Sequence, residues 1–404
     1  MVTIPIQLPH RSYDVVIGEQ VLSELGPRVA DLRAFNGQAP MGKRAFLVVD
    51  DGLPAELIDE AVASLAASGL TPTIARITAT EANKTLDTAS RLLHEIAKTR
   101  HERTDPVIAL GGGIVGDIAG FVGATFKRGV PVVQCPTTLL AMVDASVGGK
   151  TGVNLLVRSP GNPPTLAKNL VGSFWQPSLV IADVAALESL PERHLRAGLA
   201  ECLKHGLISA DLPDPSANDP ELFAWTSTEA IKVRLGDSAL REELVARNVR
   251  IKAAVVAHDE REEAPSHAGG RALLNLGHTF AHAIETLERL SPDGSPDHAP
   301  LLHGEAVAYG LVAAAGAAQH LGLLSADDAV AVRVGVERLG LVSRLIGLPG
   351  DEELIARMMH DKKVASGKLR LVLPTAIGRC RVVEDPPMDA VRAGLGAIRA
   401  VARR

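Results

Sequence analysis

The stretch Val107-Ile-Ala-Leu-Gly-Gly-Gly-Ile-Val-Gly-Asp-Ile-Ala-Gly120 decides the fold of this chain. Its apolar start reads as a short buried strand, and the glycines that follow permit a tight turn in which the backbone can approach a ligand closely. Gly116 is expected to open a helix, whose free N–H groups favour an anion such as a pyrophosphate. A plain strand-to-helix turn is the other reading of the same glycines. The spacing is not Gly-x-Gly-x-x-Gly, and no acidic residue follows at the usual distance. Asp50 and Asp51 instead end an earlier strand, where a carboxylate could hold ribose hydroxyls.

The pattern repeats outward from this stretch. Short strand-like runs at 13–17, 45–49, 73–77, 107–110, 132–135 and 179–182 alternate with amphipathic segments such as 55–68 and 85–97. Such alternation implies a mostly parallel sheet covered by helices. After about residue 185 the texture changes to Ala/Leu/Glu/Arg-rich segments with helical periodicity at 192–208, 229–258 and 305–321. The expected architecture is a Rossmann-like α/β domain over 1–185 and a mainly α-helical domain over 186–404. Stretches 158–165, 212–220 and 291–300 read as surface loops from their Pro, Gly, Asn and Asp content; His298, in the last of them, and His267, in another loop of this kind, read as solvated histidines.

With 46% hydrophobic and 22% charged residues, the 404-residue chain has the balance of a soluble globular enzyme. Aromatic residues at 3% and a net charge of −5 argue against nucleic-acid binding and favour a small anionic substrate met by local cations. Cys135, Cys202 and Cys380 lack the paired spacing of a metal knuckle or redox motif and read as reduced core thiols. The start of the chain lacks a signal-peptide pattern, and its longest apolar stretch, 306–318, falls short of the roughly 20 residues needed to span a bilayer. A cytoplasmic location away from membranes is expected.

The chemistry-bearing residues lie further along. Asn275-Leu-Gly-His-Thr-Phe-Ala-His282 places His278 and His282 four apart on one helical face, and Leu302-His-Gly-Glu305 adds His303. Both histidines of the first motif could bind a metal, or one could bind while the other moves protons. Glu201 and Lys204 are three apart on the 192–208 helix. The plain reading is a surface ion pair, but Glu201 could also supply the third ligand that a catalytic zinc needs. Asp144-Ala-Ser-Val-Gly-Gly-Lys150-Thr151 fails as a P-loop, because Asp144 stands where the first glycine should be, yet Lys150 remains a candidate phosphate contact and Lys168-Asn169 adds a second cation. The charged runs at 259–262 and 361–363 read as solvated helix ends.

Taken together, these stretches resemble the 3-dehydroquinate synthases of the sugar phosphate cyclase family. The resemblance is carried by Gly111 to Phe121, Lys127-Arg-Gly129, Pro136-Thr-Thr-Leu-Leu140, Asp144 to Asn154, Leu190-Pro-Glu-Arg193, Gly198-Leu-Ala-Glu201, Asn275-Leu-Gly-His278 and His303-Gly-Glu305, and it runs from about residue 50 to 378. It implies conversion of 3-deoxy-D-arabino-heptulosonate 7-phosphate to 3-dehydroquinate, with NAD used transiently. It also implies zinc, or cobalt in its place, on Glu201, His278 and His303, leaving His282 as the acid/base group assisted by Glu262. The same resemblance assigns NAD to Asp50, Glu81, Lys84, Gly111, Gly112, Gly113, Asp117, Thr137, Thr138, Lys168, Ala186, Leu187, Glu188 and Ser189. Substrate contacts fall to Asp144, Lys150, Asn169, Lys204, Lys252, Arg271, Asn275 and Lys363, with Arg128 supplied by the partner subunit of a homodimer. Three loops look lengthened against the family pattern, at 155–167, 264–269 and 291–300. The rival readings are a sibling cyclase, a metal-dependent polyol dehydrogenase, and a non-enzymatic binding protein; phosphate- and carboxylate-binding cations such as Lys252 and Arg271 favour the 3-dehydroquinate synthase reading over the first two.

Overall fold

A computed structural model of the chain describes residues 1–9, 11–34, 39–157, 165–264, 270–360 and 368–400. Lys363, His267 and the loop segments 158–164 and 265–269 lie outside the described residues. The chain divides into two compact units, one of Met1–Leu190 with Arg241–Val249, the other of Pro191–Leu240 with Arg250–Arg404.

The strands in chain order are β1 Val2–Ile6, β2 Tyr13–Gly18, β3 Ala39–Pro40, β4 Arg44–Asp50, β5 Thr71–Ile77, β6 Val107–Gly111, β7 Val132–Pro136, β8 Lys150–Val157, β9 Thr165–Phe174, β10 Leu179–Asp183, β11 Arg370–Ala376 and β12 Arg379–Glu384. In the first unit, one sheet has the order β1-β2-β10-β7-β6-β4-β5, in which every neighbouring pair is parallel except β1 with β2. The period of two decides what each face buries. Ala45, Leu47 and Val49 of β4 join a core with Ile58, Ala61 and Leu65 of helix Ala55–Ala67. Phe46 and Val48 face the other core, with Leu92 and Ile96 of helix Leu86–Lys98 and Ile118 and Val122 of helix Gly113–Thr125. Both faces are therefore covered, as a parallel sheet requires.

From β4 the chain moves to β5 on one side and then to β6 on the other, so the strand order reverses between β4 and β6. Val49 pairs with Leu110 there, and the next residues, Asp50 and Gly111, end the two strands. Ligands of open α/β sheets bind at the carboxyl ends of strands beside such a reversal. The helix after β6 begins at Gly113, not at the expected Gly116, with Gly112 extended as its N-cap. The glycines already wind into a helical turn, since Gly116 donates its N–H to Gly112. A Cβ on Gly112 would lie 3.1 Å from the Thr138 methyl, so the turn sits tightly on the loop after β7.

The second unit is built from helices Glu192–Ile208, Leu222–Arg234, His278–Glu285, His303–His320, Ala326–Arg338, Asp351–His360 and Met388–Ala397 with the β11–β12 hairpin, and it takes part of helix Ser238–His258. The expected single helix over 229–258 is two helices. Gly236, at φ +98°, stops the first, and the Asp237 side chain caps the second by accepting the Leu240 N–H at 3.0 Å. No helix among the described residues is long and apolar enough to cross a membrane. Cys135 and Cys202 are buried free thiols, while Cys380 is half-buried with its Sγ 3.3 Å from the Leu207 carbonyl.

Candidate metal centre and nucleotide site

Three helices of the second unit bring Glu201, His278 and His303 together, with one ligand atom from each lying within 4.8 Å of the others. Close backbone packing makes this possible. A Cβ on Gly304 would stand 1.9 Å from the Ala197 carbonyl oxygen, so the start of helix His303–His320 meets helix Glu192–Ile208 with no room for a side chain. Gly277, at φ +76°, sits against Gly310 just before His278, and a Cβ on Gly310 would lie 2.2 Å from the Gly277 carbonyl oxygen. Glycine at 277 both supplies the left-handed conformation and lets helix His278–Glu285 start beside its neighbour.

Each imidazole is aimed from behind. The Leu276 carbonyl lies 3.0 Å from His278 Nδ1, leaving Nε2 3.8 Å from Glu201. The Glu285 carboxylate lies 3.3 Å from His303 Nδ1, with Nε2 3.3 Å from Glu201. Carbonyl and carboxylate partners of this kind fix the tautomer of metal-binding histidines and raise their basicity. Partial burial opposes a positive charge on His303, but hydrogen bonds to Glu201 and Glu285 outweigh it and lift its pKa to about 10. One carboxylate and two imidazoles form the nitrogen and oxygen donor set that suits zinc or cobalt. Glu285 had no place in the sequence reading, although it stands seven residues after His278 on the same helical face and could have been found there.

Glu201 and Lys204 form no surface pair. Their side chains are 0% and 1% exposed and 2.5 Å apart. Burying two charges is costly, and each of the two offsets part of that cost for the other. His282 lies one turn beyond His278, with ring centroids 5.7 Å apart and 6.4 Å from His303, and it stands outside the triad. Arg193 holds the entry to the helix that carries His303. Its Nε and a terminal nitrogen donate to the two Glu305 oxygens at 2.7 and 2.8 Å, and the same nitrogen reaches the His298 carbonyl at 2.6 Å. Glu305 in turn accepts the Leu302 N–H at 2.8 Å. His298 itself is exposed, with Nδ1 2.7 Å from Asp293.

A second cluster lies at the end of helix Ser238–His258. The run at 259–262 is only partly a solvated helix end, because the Asp259 carboxylate is buried and accepts the N–H groups of Glu263, Ala264 and Arg271 at 2.8, 3.2 and 3.1 Å. Arg271, buried to 2% exposure, donates from its guanidinium to the Glu260 carbonyl. Asn275 donates to Glu262, which is exposed and held at φ +58°. Burial would raise the Asp259 pKa, but its backbone donors and Arg271 outweigh that and lower it. A carboxylate depressed on folding stabilises the protein above its unfolded pKa of about 3.9 and loses that contribution as pH falls through the folded value. Asp259→Asn is therefore expected to lower the melting temperature at pH 7, with the gap to the parent closing below about pH 4. An equal gap at both pH values would contradict the charge-based role.

In the first unit, Lys84, 3% exposed, donates from Nζ to Asp117 and to the Asn169 side chain. Glu81 lies in the same turn, and Lys168 is half-buried beside the exposed Asn169. Thr137 donates its N–H to the Gly111 carbonyl, and the Thr138 hydroxyl accepts the Ala141 N–H. Asp50 accepts the Gly52 N–H at 3.1 Å. Ala186, Leu187 and Glu188 lie in the 3₁₀ turn Val184–Glu188, closed by the Ser189 hydroxyl on the Ala186 carbonyl. Lys150 is the exposed first residue of β8, not part of a loop, and Asp144 lies in the π-helical turn Ala141–Ala145. Arg128 is exposed at φ +63°. Lys252 is buried on its helix.

Residues 74–197 match the 3-dehydroquinate synthase N-terminal family and residues 198–364 the 3-dehydroquinate synthase C-terminal family. A 3-dehydroquinate synthase of Nitrobacter hamburgensis is 42% identical over 399 residues, covering 97% of this chain and 94% of that protein. One from Desulforamulus reducens is 40% identical over 385 residues, covering 95% and 97%. Among solved structures, 2-deoxy-scyllo-inosose synthase complexed with carbaglucose-6-phosphate, NAD+ and Co2+ aligns with a TM-score of 0.79 at 23% identity, covering 98% of this chain and 99% of that one. A 2-epi-5-epi-valiolone synthase from Streptomyces hygroscopicus with NAD+ and Zn2+ bound aligns at 0.78 with 27% identity, covering 97% and 98%. The family models together span more than half of the chain and the relatives nearly all of it, and on that footing the chain belongs to the 3-dehydroquinate synthase family.

Proposed function

We propose that the chain converts 3-deoxy-D-arabino-heptulosonate 7-phosphate to 3-dehydroquinate and phosphate, using NAD and a divalent metal held by Glu201, His278 and His303. The observation that carries the metal assignment is the triad with its two backing groups, Leu276 and Glu285. The solved synthases that bind NAD+ with Co2+ or Zn2+ support the choice of cofactors. When bound, a zinc-type ion supplies a Lewis acid for a substrate hydroxyl and NAD supplies a reversible hydride acceptor.

The chain's own residues do the rest. His282, half-buried and outside the triad, is assigned to proton movement, and Glu262 on its strained turn assists it. The buried cations Lys204, Lys252 and Arg271 are assigned to orienting an anionic substrate. Lys150 and Asn169 are assigned to substrate, as is Lys363, which lies outside the described residues. Elimination of phosphate and ring closure then depend chiefly on a correctly folded substrate, which such a set of contacts imposes. Residues 1–185 would form the NAD-binding domain and 186–404 the metal- and substrate-binding domain. The working form is a cytoplasmic homodimer in which the exposed Arg128 serves the partner's site.

The main competitor is a sibling cyclase that acts on a sugar phosphate without a carboxylate. The buried Arg271 guanidinium argues for the acid. Arg271→Ala is expected to raise KM for the heptulosonate phosphate by about 10- to 100-fold, the cost of losing a charge-assisted contact, while binding of a carboxylate-free analogue changes little. Steady-state kinetics and competition with the analogue measure both. An equal loss for the two ligands would favour the sibling cyclase.

A further inference from the structure

We propose that Asn154, to which no role in the reaction is assigned above, is a positioning residue that sets the cofactor and substrate contacts of the first unit. The proposal rests on the reading of Glu81, Lys84 and Lys168 as NAD contacts and Asn169 as a substrate contact. In the antiparallel ribbon of β8 and β9, Val153 pairs with Val171 and Leu155 with Ala167. Between these pairs β8 has one residue, Asn154, and β9 has three, Lys168, Asn169 and Leu170. The ribbon therefore bulges, and Asn169 takes φ +52° within it. Bulges re-aim side chains and take backbone groups out of the ladder. Both residues of the bulge with assigned roles, Lys168 and Asn169, are aimed in this way.

Asn154 recovers what the bulge gives up. Its Oδ1 accepts the Asn169 N–H at 2.9 Å. Its Nδ2 donates to the Glu81 carbonyl at 3.0 Å and to the Glu81 carboxylate at 2.9 Å. Its own backbone N–H donates to the Lys84 carbonyl at 2.7 Å. Lys84 closes the ring by donating from Nζ to the Asn169 side chain. Asn154 is 1% exposed, so water cannot stand in for these partners. Acceptors on one side and a donor on the other require a side chain that carries both functions, which an amide does and a carboxylate or a methyl does not. One buried amide thus ties the turn with Glu81 and Lys84 to the bulge with Lys168 and Asn169. Its effect on the reaction runs through these residues, with no contact to the substrate required.

The test is NAD binding by calorimetry, with KM for the heptulosonate phosphate, on purified protein with zinc. Asn154→Ala is expected to raise the NAD Kd and the substrate KM by about 10- to 100-fold each, the size of losing buried hydrogen bonds to charged groups. Zinc content should not change. If the alanine variant does not fold, Asn154→Asp is the second probe, since it keeps the size and the acceptor for Asn169 but sets a carboxylate against Glu81. The loss on Asn154→Asp should shrink when Glu81→Gln is already present, because the glutamine amide can donate to the new carboxylate; a merely structural role would lower the melting temperature and leave the NAD Kd and KM of the folded variant unchanged. Wild-type NAD affinity and KM in a folded Asn154 variant, or strict additivity of Asn154→Asp with Glu81→Gln, would overturn the proposal. A wild-type protein that binds no NAD would instead overturn the reading of the NAD site on which it rests.

Discussion

Glu201→Ala and His303→Ala proteins are expected to come off purification with little bound zinc and with kcat reduced about a thousandfold or more. That loss corresponds to the several kcal/mol that a Lewis acid contributes to a charged transition state. Both residues sit at helix contacts with no slack, Glu201 fully buried and His303 at the end that packs through Gly304 onto Ala197, so neighbouring groups cannot move in to replace them. Glu285→Ala should have a smaller effect of the same kind. It removes the carboxylate behind His303 Nδ1, and outer partners of metal-binding histidines are worth about 10- to 100-fold in metal affinity. Metal analysis by mass spectrometry with zinc titration reads all three. A His303→Ala protein with full zinc would remove His303 from the ligand set.

His282→Ala should separate metal binding from proton transfer. Zinc content is expected to stay at the parental level while kcat falls about 10²- to 10⁴-fold, the usual contribution of a positioned acid/base group. The geometry favours this division, because His282 stacks edge-on to His278 from one turn away and is not among the three residues whose ligand atoms converge. Loss of zinc from this variant would revive the alternative in which His278 and His282 bind the ion as a pair.

The parallel sheet was legible because its strands are buried on both faces and read as apolar runs cut by glycine and proline. The β8–β9 ribbon was not. It carries exposed apolar residues, among them Leu156, Leu170 and Phe174, so its sequence shows no inward and outward alternation, and its Gly-Gly-Lys start imitates a phosphate loop. The break at Gly236-Asp237 was legible in principle, being a helix stop followed at once by a good cap, but the periodicity on both sides concealed it. In the site, His278 and His303 stood out by type and spacing. Glu201 and Lys204 did not, since an acid and a base three apart on a helix look alike in sequence whether solvated or, as here, fully buried. Asp259 and Asn154 were passed over for a related reason. They act on backbone groups and on other side chains, and only the folded chain shows which partners they find.

The most direct measurement of the central claim follows phosphate release, product identity and NADH absorbance together as chelated protein is given first NAD and the heptulosonate phosphate, and then zinc. The account expects no turnover before zinc. After zinc it expects phosphate and 3-dehydroquinate in equal amounts, with no net accumulation of NADH because the hydride is returned. Phosphate release by the metal-free protein, or NADH accumulating in step with product, would contradict it.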